Sequence, residues 1–238
     1  MLHVSTFTYD TTRNRTKLYV IITITHNVRY LVMKKGKFGL LLLLASSMFG
    51  CTSEPYSVKV GYNNGSTTGR HIVSRMVVGG GDFSMGSVGT YPGKASTGGR
   101  MWPPTHIEGD WAKGNPTPSS GLISYHRISM DIPKDAEAKM KLMDNYYQNL
   151  DKDYGSMQVI VDGPRVRVFY TKNCFSKFDD CTPKQSIDPN GWVIKSPSGT
   201  TDVVKLFDGI GESSKTPFPN TRFAERERLK KQRLKKVE

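Results

Sequence analysis

Side chains alternate between apolar and polar along Tyr56-Ser57-Val58-Lys59-Val60-Gly61-Tyr62, and this two-residue period predicts a half-buried strand. Asn63-Asn64-Gly65 reads as a turn after it. His71–Val78, rich in Ile and Val, predicts a second strand, ended by Gly79-Gly80-Gly81. From Gly79 to Gly121 the chain is dominated by Gly, Pro, Ser and Thr, which suits either a set of short strands and turns or a functional loop region. Leu122–Ile132 is strand-like again, with Ile128, Met130 and Ile132 on one face.

Pro133–Leu150 carries the one internal helical pattern. Ala136, Met140, Met143, Tyr147 and Leu150 follow helical spacing, and Pro133, Asp135 and Glu137 suit the helix start. Met157–Val161 and Arg165–Tyr170 predict a hairpin around Asp162-Gly163-Pro164, with Arg165 and Arg167 on a wet, basic face. The turn Asp188-Pro189-Asn190-Gly191 precedes Trp192-Val193-Ile194, and Val203–Phe207 is a last short strand or helix. Residues 222–238 read as a basic helix or tail, capped by Asn220 or Thr221, with a thin stripe of Phe223, Leu229, Leu234 and Val237. Such an end is either solvated or in electrostatic contact with an acidic partner or anionic lipid head groups. Together the pattern predicts an α+β, mainly β domain: an antiparallel sheet or sandwich-like body with one internal helix and a basic C-terminal helix or tail.

Charge changes this picture. The 238 residues carry a formal net charge of +13. Residues 1–50 hold +6 of it and residues 222–238 hold +5, which leaves the stretch between them at +2. The body is close to neutral, so the basic balance is no argument for nucleic-acid binding, and none is expected.

Met33-Lys34-Lys35-Gly36-Lys37 is a basic run at a methionine, followed by an apolar stretch from Phe38 to Phe49 with five consecutive leucines. The stretch is shorter than the roughly 20 residues of a spanning helix. It reads as a signal peptide. Met48-Phe49-Gly50-Cys51 resembles the lipobox of bacterial lipoproteins: Gly50 and Cys51 match it, Met48 is an apolar substitute, and Phe49 departs from it. The resemblance implies cleavage before Cys51 and diacylglycerol on its thiol. Thr52 in place of Asp after the cysteine implies an outer-membrane destination. The expected organisation is then an extraneous leader over 1–32 from a misplaced gene start, a signal peptide over 33–50, one β-rich periplasmic domain over 51–221, and the basic end over 222–238.

Three cysteines are an odd count. If Cys51 is lipidated, Cys174 and Cys181 remain, and an oxidising compartment makes their disulfide the natural reading. The spacing is too long for a zinc knuckle or a redox motif.

Few residues suggest chemistry. There is no phosphate-binding or dinucleotide fingerprint, and the neighbourhood of Ser84 misses a Gly-x-Ser-x-Gly elbow by one residue. His71, His106 and His126 have no metal-pair spacing, although distant residues can assemble a triad in space. Asp151 and Asp153 read as a polar turn, not a calcium loop. No catalytic residue, metal or cofactor is expected. Trp102, Trp111 and Tyr125, in or beside the loop-rich region, suit either partner contacts or core anchors.

The Gly50-Cys51 lipobox, the strand ending in Gly61-Tyr62-Asn63 and the Gly-rich stretch from Gly79 resemble lipoproteins encoded beside type VI secretion phospholipase effectors. That resemblance implies an immunity protein: a non-enzymatic periplasmic inhibitor that neutralises a secreted toxic effector by stoichiometric binding, held at the membrane by the lipid on Cys51. A structural or accessory envelope lipoprotein is the alternative, with a hydrolase behind it.

Overall fold

The computed structural model describes residues 54–79, 81–83, 87–93, 95–115, 121–150, 154–172, 174 and 180–236. The expectations for the leader, the signal peptide, Cys51, Ser84, Asp151 and Asp153 lie outside these residues. The described chain is mainly β, with two sheets and two helices.

Twelve strands form in chain order: β1 (Val58–Gly65), β2 (His71–Val78), β3 (Gly81–Phe83), β4 (Ser87–Val88), β5 (Ala95–Met101), β6 (His106–Gly114), β7 (Leu122–Asp131), β8 (Tyr154–Asp162), β9 (Arg165–Thr171), β10 (Val193–Lys195), β11 (Asp202–Ile210) and β12 (Glu212–Ser214). The helices are α1 (Ala136–Asp144) and α2 (Arg222–Leu234). The first sheet has the order β10-β11-β9-β8-β1-β5, and the second β12-β7-β6-β2-β3, with β4 beside β2. All pairings are antiparallel except β1 with β8, which is parallel. The fold class is therefore the one the pattern predicts.

One core draws on both sheets and α1. Val58, Val60, Met157, Val159, Val168 and Tyr170 of the first sheet join Met76, Ile107, Trp111 and Ile128 of the second, and Met140 and Met143 of α1. The registers place the starts of β1, β8 and β11 at one end of the first sheet, where Tyr56 leads in; we call it the tether end. The hairpin turn at Gly163 marks the far end.

Two local expectations are corrected, and one open alternative is decided in favour of strands. Asn63-Asn64-Gly65 is not a turn but the last part of β1, paired residue by residue with Gln158-Val159-Ile160 of β8. The chain turns later, around Gly69, whose φ of +106° favours glycine. The internal helix ends at Asp144, short of Leu150. The Asn145 side chain caps the Lys141 carbonyl at 2.9 Å, and the following residues leave the helix to pair with 182–184 through Gln148 N–H to the Thr182 carbonyl (3.0 Å) and Lys184 N–H to the Tyr146 carbonyl (2.9 Å). The loop-rich region proves to hold β6, a strand paired on both sides, by β2 and β7. Gly109 in its middle is needed there: a Cβ would lie 2.7 Å from the Arg75 carbonyl oxygen and 2.6 Å from Met76 Sδ.

Cys174 and Cys181 form the expected disulfide just after β9, with Cα atoms 5.6 Å apart. Closing so short a loop contributes about 2–3 kcal/mol on the chain-entropy view. Replacing both cysteines by serine is expected to lower the unfolding free energy, read from chemical denaturation, by that amount, whereas an unchanged value would show that the crosslink does not stabilise the fold.

Candidate functional site

Of the three aromatic contact candidates, the fold separates one from the others. Trp111 on β6 is fully buried, and its indole Nε1 donates to the Gly163 carbonyl at 2.6 Å. Tyr125 on β7 is also buried, edge-on to Phe223 of α2 with ring centroids 5.5 Å apart. Both are core anchors, because cross-strand pairing turns Trp111 into the space between the sheets and α2 covers Tyr125. Trp102 is 57% exposed. It follows the last residue of β5 at the tether end, where Tyr154, at the start of β8, and Met130, near the end of β7, are 46% and 43% exposed.

The three histidines fall into two chemistries. His71 and His126 are buried between the sheets. His71 Nδ1 lies 3.0 Å from the Gly69 carbonyl, and its Nε2 accepts the Gly163 N–H at 2.9 Å, which fixes a neutral ring protonated on Nδ1. His126 sits between Ser124 Oγ and Ser213 Oγ, each at 2.9 Å. Burial pulls both histidines below their ordinary range, His126 to about 4 with help from His71 and Lys113. Their polar atoms tie the Gly163 turn and β12 into the fold.

His106 is different. Its Nδ1 lies 2.9 Å from Asp131 Oδ1 and its Nε2 3.1 Å from Ser129 Oγ, the connectivity of a Ser-His-Asp triad. The geometry follows from register alone. His106 pairs with Asp131 across β6 and β7, and Ser129 is the next residue on the same face. The group lies on an open sheet surface, with the Asp131 side chain 92% exposed. In that setting the carboxylate interacts with the imidazole through water-like dielectric, and the two contacts orient the ring.

A second polar cluster fastens the tether end. Asp144, the last residue of α1, accepts hydrogen bonds from Tyr56 and Tyr170, both at 2.5 Å, and lies 3.4 Å from the Lys172 ammonium. Lys172 is 4% exposed. Burial and the neighbouring Asp144 push both tyrosine hydroxyls far above their ordinary range, so they remain donors. Tyr147 likewise donates to Asp202 at 3.1 Å.

At the far end Asp162 binds the turn between β1 and β2. It accepts from Ser66 Oγ at 2.9 Å, Thr67 N at 2.7 Å and Thr67 Oγ1 at 2.7 Å, and pairs with Arg167. Burial alone would raise its pKa, but these donors outweigh it and hold the carboxyl at about 2. The basic face expected of β9 borders a shallow cleft with Ile194 and Phe169. Its cations are already paired: Arg165 and Lys205 with Asp208, Arg167 with Asp162, and Lys195 with Asp202.

Sequence reasoning missed the Asp144 and Asp162 clusters. Both carboxylates act through residues distant in sequence, and only the register brings those residues together. Among the described residues no group of His, Cys, Asp and Glu could hold a metal ion, and no helix is long and apolar enough to cross a membrane. No family model, curated protein or solved structure matches this chain.

Proposed function

We propose that this chain is a membrane-anchored binding protein of the periplasm, an immunity lipoprotein that neutralises a secreted toxic effector by stoichiometric occlusion. The observation that carries the reading is the exposed Trp102 at the tether end, with Tyr154 and Met130 also open to solvent on strands that begin or end there. Aromatic residues and methionine are enriched in the centres of protein interfaces, and a rigid Trp is a frequent energetic anchor there. The histidines support binding over catalysis, since two are engaged inside the core and the third lies on open sheet surface.

Under this proposal a lipid on Cys51 keeps the exposed aromatic end close to the bilayer. From Cys51 to Val58 the chain reaches at most about 25 Å when fully extended. A toxin that attacks the bilayer, such as a phospholipase, would meet the inhibitor at that surface.

The test is co-expression in the periplasm with the effector encoded in the same gene neighbourhood. Growth rescue and a stoichiometric complex are expected. Trp102→Ala should weaken the complex by about 30-fold or more, the effect of losing one anchor residue. Absence of both rescue and complex would refute the reading for that pair. Full affinity in the alanine variant would move the contact away from the tether end.

A further inference from the structure

We infer that the exposed face of α2 docks on the head groups of an anionic phospholipid bilayer. Among the described residues the helix is anchored at its beginning. Thr221 Oγ1 accepts the Ala224 N–H at 3.3 Å, Phe223 is buried with Ala112 and Tyr125, and the Arg127 guanidinium lies 4.5 Å from the Phe218 ring centroid just before the helix. Beyond this first turn the side chains open to solvent, and everything from Arg228 to Lys236 is exposed. A helix that needed its remaining turns for the fold would bury a stripe of them.

The open part has a distinct chemistry. Arg226 to Lys236 contains seven Lys or Arg and one acidic residue, Glu227. Arg226, Leu229, Lys230, Arg233 and Leu234 have the spacing of a single helical face and together line one open groove. Three cations lie along the middle of that face, and the two leucines flank them, 41% and 60% exposed. Lys231, Lys235 and Lys236 carry positive charge round the remaining circumference, where Arg228 is paired with Glu225.

This distribution fits a lipid surface better than an acidic protein. A protein partner presents carboxylates at fixed points and selects cations on one side. A bilayer presents diffuse negative charge, attracts every Lys and Arg within a Debye length, and accepts shallow leucines between head groups while the long basic side chains reach outward. With two leucines the apolar contribution is small, so the contact is mainly electrostatic and reversible. The inference rests on the envelope placement proposed above, and needs no particular toxin.

The Glu54–Glu238 unit forms a compact body that contains the described core and the disulfide, so it can be tested apart from residues 1–53. It is sedimented with phosphatidylcholine vesicles, with or without roughly one-third phosphatidylglycerol. Binding is expected to the anionic vesicles at low salt and to disappear at high salt. Combining Arg226→Gln, Lys230→Gln and Arg233→Gln should lower partitioning on the order of 100-fold, about fivefold per cation. These positions are exposed, so the variant keeps its core. Leu229→Ala with Leu234→Ala should give a much smaller loss.

Equal binding to neutral vesicles, or undiminished binding by the glutamine variant, would overturn the proposal. So would failure of the wild-type unit to bind anionic vesicles at low salt. Capture by polyaspartate without vesicle binding would assign the face to an acidic protein instead. Failure of toxin neutralisation leaves these readouts untouched, so the two proposals fall separately.

Discussion

Asp144→Ala is expected to destabilise the protein by about 3–5 kcal/mol, the usual consequence of removing one partner from a buried charge pair. The reason lies in what remains. Lys172 stays 4% exposed with its nearby carboxylate gone, and the Tyr56 and Tyr170 hydroxyls lose the acceptor they share. A buried ammonium without a counter-charge is far costlier than the bond that was lost. Chemical denaturation at neutral pH measures the effect as a lower midpoint. Adding Lys172→Met should recover much of the loss, because an apolar side chain of similar length removes the stranded charge. If Asp144→Ala is neutral, or Lys172→Met fails to rescue it, the cluster does not hold the tether end as described.

The second large effect is acid sensitivity. His126 has a folded pKa of about 4, below the unfolded value near 6.5, and burial lowers His71 as well. An unfolded chain therefore takes up protons in a range where the folded chain refuses them. The stability is fully present above about pH 6.5 and drains as the pH falls towards 4. For His126 the loss is on the order of 3 kcal/mol. Asp162, held at about 2, acts only below this window, where protonation begins to release its donors. Thermal unfolding followed between pH 7 and pH 4.5 should show the decline, and His126→Gln should flatten it. A wild-type profile that is flat between these values would contradict the burial of both rings.

The parts of the fold that were legible in the sequence share one property: their signal is local. Val58 and Val60, the hairpin at Gly163 and the alternation of β7 all appear as short-range patterns. β6 was hidden because its outward side chains, Glu108 and Asp110, flank a glycine and resemble loop composition. Its inward residues, Ile107 and Trp111, gain meaning only once Met76 fills the space above Gly109. The helix pattern over Pro133–Leu150 overran its true end for a similar reason. Tyr147 is buried as the helical spacing suggested, but its backbone belongs to a bridge with Pro183.

The candidate site followed the same rule. The alternation of β7 puts Ser129 and Asp131 on one face, but only the pairing with β6 brings His106 beside them. Composition treated Trp102, Trp111 and Tyr125 alike, and only packing distinguishes an exposed indole from two core anchors. The Asp144 cluster joins Tyr56, the end of α1 and the end of β9, a coincidence that no short stretch of sequence records.

The parallel pairing of β1 with β8 has a consequence for the order in which the molecule assembles. β1 can form a meander-like edge with β5 early, but its other ladder waits for a strand that begins at Tyr154. Closing that long interval costs chain entropy before any bond repays it, and pairings of this kind slow folding. The first of the described strands to emerge is thus among the last to acquire both neighbours, and one edge of β1 stays unpaired until β8 arrives. A chain with this topology folds as a whole, after most of it has been delivered, so its nascent N-terminal part is the segment most in need of a chaperone.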